Sequence, residues 1–129
     1  MRLGATPRGI GFEGDLVVEA TEEGLTTYRV GGMEGDIARL DLIAHRPPTL
    51  LQRMLGWWAE RVLLYKGLAY VREPKGLTVY DVRDPSTPRR LAHYAAGGQY
   101  FHDMAVLPDG SILLAGTSLQ IIEPVKLGR

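Results

Sequence analysis

Three histidines, His45, His93 and His102, are the imidazoles of a chain of 129 residues that has no cysteine. Thiolate nucleophiles, disulfides and thiolate metal sites are thereby excluded, and the chain reads as one of a reducing compartment or indifferent to redox state. No two histidines stand at a spacing that dictates a metal site, and neither His-Glu-x-x-His, Gly-x-Ser-x-Gly nor a phosphate-cradling glycine loop occurs. "GGMEGD" at 31–36 supplies glycines without the following Lys and Ser or Thr, so its glycines serve a turn. The group best suited to chemistry is Arg8, Glu60, His102 and Asp103. Arg8, Glu60 and Asp103 share one position of an internal repeat, and His102 adjoins the last of them. A cation, two carboxylates and an imidazole converging on one mouth bind a small polar molecule, or bring an acid, a base and an imidazole together. The competing reading is structural, with such carboxylates holding loop amides, as Asp81 and Asp84 are expected to do in their own turn. The histidines fall at no common position of the repeat. No catalytic residue, cofactor-binding residue or metal ligand is assigned, and no cofactor is expected.

The elements that place these residues follow from the repeat. A shift of 52 positions superposes Ile10 on Val62, Leu16 on Leu68, Gly24 on Gly76, Leu25 on Leu77, Thr26 on Thr78, Tyr28 on Tyr80 and Val30 on Val82. "GLTTYRV" at 24–30 thus answers "GLTVYDV" at 76–82. A third copy, "MAVLPDGSILLAGTSLQIIEP", lies under the second with one residue deleted, bringing Gly67 onto Gly110, Leu77 onto Leu119 and Val79 onto Ile121. The unit is about 40 residues, with roughly ten more between the first two copies. The copies span about 8–45, 60–98 and 102–124 of a single domain.

Each unit reads as short strands. "DLVVEA", "LAYVRE" and "SILLAG" have the length and branching of buried strands. Each is followed, after a glycine-containing turn, by a partly alternating strand, and Gly24 and Gly76 stand where a short hairpin needs positive φ. "RDPSTPRRLAHY" turns at Asp84-Pro85 into a fourth strand, matched in the first copy by "ARLDLIAH". Four strands joined by hairpins make a propeller blade, so the expected fold is all-β, with about three blades of which the last is incomplete. A small β-sandwich or barrel is the alternative.

"KGLAYVREPKGLTVYDVRDPSTPRRLAHY" resembles the LVIVD repeat, whose consensus phrase runs Gly-Leu-x-Val-hydrophobic-Asp-Val-x-Asp-Pro. The likeness is good over 62–105 and partial over 10–45, where Arg29 stands in place of the aspartate. It is partial again at the end, where Glu123-Pro124 replaces Asp-Val. The resemblance implies propeller-like blades and no particular activity. Three blades are too few to close a ring, which takes four or more. Two chains making a six-bladed ring would hide the apolar faces that an open arc exposes. Met1 to Ala5, whose "MRL" is similar to the "RRL" of the fourth strand, would supply the missing outer strand of the partner's third blade.

The stretch between the first two copies, about 47–60, reads as a short helix. Thr49 and Gln52 fit a capping box, and Leu50, Leu51, Met54, Leu55 and Trp58 share one face. It lies on a blade flank, or docks a protein partner through Met54, Trp57 and Trp58. Fifteen basic against fifteen acidic residues leave no net charge, so nucleic acid is not expected as a partner. No signal-like or membrane-spanning run of about 18 apolar residues occurs, and a cytoplasmic chain that works as a non-catalytic, self-associating interaction module, most simply a homodimer, is the expectation. The alternative is a small-molecule binder or enzyme using the channel mouth.

Overall fold

A computed structural model describes residues 9–21, 23–48, 61–73, 76–95, 103–116 and 119–123. Eleven strands among the described residues form three antiparallel sheets, each a meander of sequential hairpins. Sheet I comprises β1 (Gly9–Glu13), β2 (Leu16–Thr21), β3 (Gly24–Glu34) and β4 (Ile37–Arg46). Sheet II repeats it with β5 (Arg61–Tyr65), β6 (Leu68–Glu73), β7 (Gly76–Asp81) and β8 (Arg89–Ala95), and sheet III has β9 (Asp103–Val106), β10 (Ile112–Ala115) and β11 (Leu119–Ile122). The described strands close no barrel, because each pairs only within its own sheet. The all-β expectation holds, and the described residues form two sheets of four strands and one of three. No helix occurs among them; the helix expected near 47–60 falls on 49–60, outside the described residues, as does the segment Met1 to Ala5.

The sheets stack in chain order, and alternation along each strand gives every sheet two distinct faces. We call trailing the face turned toward the next sheet in sequence, and leading the opposite one. Val18, Ala20 and Leu25 on the trailing face of sheet I pack on Val62, Ala69, Val71, Tyr80 and Val82 on the leading face of sheet II. Tyr70, Leu77 and Val79 on the trailing face of sheet II pack in turn on Met104, Ile112 and Leu114 on the leading face of sheet III. Sheet II is therefore covered on both sides, and all six residues of β7 are buried. That double burial is why "GLTVYD" and "LAYV" read as nearly continuous apolar runs.

Polar ties fix the stacking. The Glu13 carboxylate accepts the backbone N–H groups of Lys66 at 2.6 Å and Gly67 at 2.9 Å, so sheet I grips the β5–β6 turn. Thr27 donates its hydroxyl to the Pro85 carbonyl at 2.7 Å, and Arg46 donates to the Pro88 carbonyl at 2.9 Å. The sheets also meet backbone to backbone: a Cβ on Gly11 would lie 2.7 Å from the Val62 carbonyl oxygen. Gly24 has φ +118°, as its turn requires. The stretch "GGMEGD" does more than turn. Gly31 and Gly32 belong to β3, the turn itself is Gly35-Asp36, and the β3–β4 hairpin runs on to the pair Glu34 and Ile37 as an exposed arm.

Candidate functional site

Of the four candidate binding residues, Arg8, Glu60 and His102 lie outside the described residues, as do Met54, Trp57 and Trp58. Asp103 opens β9, and its carboxylate accepts from the Arg61 guanidinium and from its own strand's Met104 N–H at 2.8 Å. Strand pairing sets Asp103 level with Arg61 rather than Glu60. Val62 opposes Val71 and Met104 opposes Leu114, but the β9–β10 turn holds one residue more than the Lys66-Gly67 turn. The one-residue difference shifts the sequence register of the third unit's first strand. The observed partner of Asp103 is thus a cation from the neighbouring sheet, which neutralises it and ties sheet II to sheet III.

A shallow depression is lined by Asp81, Arg83, Asp84, Thr87, Pro88 and Arg89, all within or beside the β7–β8 turn. Asp81 is buried there, accepting from the Arg83 side chain at 2.7 and 3.0 Å and from Arg89 at 3.3 Å. The hydrogen bonds from Arg83 hold its carboxyl down to about 2 against the cost of burial. A carboxylate so satisfied is neither base nor acid near neutral pH. Asp84 accepts from the Ser86 N–H and hydroxyl, forming the turn expected of it.

One constellation escapes a fixed-offset reading of the sequence. Thr26 and His45 Nδ1 hydrogen-bond at 2.8 Å across β3 and β4, and Thr78 and His93 Nδ1 do so at 2.9 Å across β7 and β8. His45 faces Thr26 and His93 faces Thr78, so these two histidines are equivalent. The pairs are 19 and 15 residues apart because the first hairpin is longer, which breaks the 52-residue shift that aligns the threonines. The signal was local: "Ala-His" at 44–45 and again at 92–93. In sheet II the Thr78 hydroxyl also donates to Glu73 Oε1 at 2.5 Å, so His93 supplies the Nδ1 proton of its own bond to Thr78. In sheet I burial raises the carboxyl pKa of Glu19, to which Tyr28 donates at 3.4 Å. Thr78 is almost wholly buried and offers no accessible nucleophile. These groups clasp neighbouring strands and satisfy buried polar atoms.

Among the described residues the two outermost faces are open only in part: Glu19, Thr26 and Tyr28 on the leading face of sheet I are buried, beside apolar side chains that are exposed. Ile10, Phe12, Val30 and Leu42 are exposed on the leading face of sheet I, and Leu119 and Ile121 on the trailing face of sheet III. Among the described residues no group of three or more His, Cys, Asp or Glu is placed to hold a metal ion, and no helix is long and apolar enough to cross a membrane. No family model matches the chain, and neither a curated protein nor a solved structure shows significant similarity to it.

Proposed function

We propose that the chain is a non-catalytic, propeller-like interaction module that acts by self-association, two copies completing a six-bladed ring. The observation that carries this reading is the set of exposed apolar side chains on the outer faces of the described sheets, Ile10, Phe12 and Leu42 on sheet I and Leu119 and Ile121 on sheet III, because exposed apolar patches mark association sites. The resemblance to LVIVD repeats supports the same architecture. The described polar groups favour it over a catalytic reading, since Asp81 and Asp103 are each neutralised by arginine and the two His–Thr pairs serve as strand clasps. Docking of a further protein through Met54, Trp57 and Trp58 belongs to the proposal and rests on sequence alone. The test is a comparison of the native chain with Phe12→Glu on a sizing column. The native chain elutes as an oligomer, while the variant elutes as a monomer with an unchanged circular dichroism spectrum. A native chain that stays monomeric defeats the proposal.

A further inference from the structure

Self-association alone leaves open which surface meets which, and the repeat answers that. Ile10 stands level with Val62, since Ile10 opposes Glu19 as Val62 opposes Val71. By the same pairing Phe12 is level with Leu64, Leu119 with Leu77, and Ile121 with Val79. The equivalent residues differ sharply in exposure. Ile10 is 60% exposed and Val62 4%; Leu119 is 67% and Ile121 63% exposed, against 0% for both Leu77 and Val79. Residues that sheet II buries against its neighbours are exposed at these positions of sheets I and III, beyond which no described sheet packs.

The covered positions show what each open face accepts. Both interfaces within the chain have the same polarity, a trailing face on the leading face of the next sheet, I on II and then II on III. Among the described sheets, none packs on the leading face of sheet I or on the trailing face of sheet III. Resting on the self-association reading, we infer that the trailing face of sheet III docks on the leading face of sheet I of a second copy. Continuing the step that the chain already makes twice, this contact is heterologous: different patches meet, rather than one patch meeting itself. It also fixes the alignment. At the first interface the position of a Cβ on Gly11 lies 3.2 Å from Val62 Cγ1. The residue level with Gly11 in sheet III is Ala105, because Gly11 opposes Val18, Leu63 opposes Tyr70 and Ala105 opposes Leu113. The residue level with Val62 in sheet I is Ile10. Ala105 of one copy therefore lies against Ile10 of the other, and because alanine carries the Cβ that Gly11 lacks, the two sheets stand slightly farther apart there than at position 11.

Because the chain has no cysteine, disulfide trapping reads this contact without background. Ile10→Cys, Ala105→Cys and the double variant are oxidised and run on a denaturing gel without reductant, with the mass of each measured beforehand in solution. The expected result is that neither single variant crosslinks and the double variant is converted to covalent dimer, since a bridge forms only where Cβ atoms approach to about 4 Å. Crosslinking of Ile10→Cys alone would place sheet I on sheet I, and of Ala105→Cys alone sheet III on sheet III; either overturns the inference. An oligomeric double variant that fails to crosslink also overturns it while leaving self-association standing. Monomers of the native chain and all variants would defeat self-association itself.

Discussion

Asp81 shows how a residue that looks reactive is spent on the fold. Its carboxyl sits at about 2 instead of 3.8, first because of the hydrogen bonds from Arg83. The folded value is depressed, so the stabilisation is present in full above the unfolded value and is lost as pH falls through about 2. Such a displacement is worth at most about 2.5 kcal/mol. Arg83 and Arg89 are 46% and 68% exposed, and screening reduces the effect to roughly 1 kcal/mol. Asp81→Asn should therefore destabilise the chain by about 1 kcal/mol at neutral pH in urea titrations, and the gap should close near pH 2. A gap that persists there would assign the loss to something other than charge. The role of Asp84 was legible beforehand, because Asp-Pro with a following serine is a local turn signal. The Thr26–His45 and Thr78–His93 pairs were not, since their register depends on hairpin length, which a constant offset cannot follow.

Strands were legible because apolar runs punctuated by glycine are local: "LAYVRE" is β6 and "SILLAG" contains β10. Which face of each strand is covered was not, because that depends on the order in which sheets stack. Gly11 tests the closest approach between sheets. Its φ is not in the left-handed region, so Gly11→Ala changes only the space available, and the added Cβ meets Val62 backbone at 2.7 Å. The substitution should cost about 1–3 kcal/mol by overpacking. A neutral result in chemical denaturation would mean that β1 and β5 stand farther apart. Leu77 and Leu119 form a second test, being equivalent residues with opposite exposure. Leu77→Ala should cost about 2–5 kcal/mol at every protein concentration. Leu119→Ala should leave the dilute chain as stable as the native one while lowering the concentration dependence of unfolding, which is the sign of a residue buried only in the assembly. Equal losses at high dilution would show that Leu119 is covered within its own chain.

At the scale of the whole molecule, the repeat explains both the double burial of sheet II and the exposed apolar residues on sheets I and III. Sheet II has a neighbour on each side and is the best buried of the three; among the described sheets, I and III have one apiece. A repeat architecture is stabilised by contacts between neighbours, so its terminal units need caps or partners. Heterologous contacts close into a ring when the rotation per step permits and otherwise extend as a filament. The repeat pointed to three units, but the polarity of their stacking became visible only once the sheets were seen to pack trailing face on leading face. The most direct measurement is the solution mass by light scattering over a range of concentrations. A closed ring predicts one species at twice the 14.2 kDa chain mass, constant as concentration rises. A stable monomer, or a mass that climbs with concentration, would contradict it.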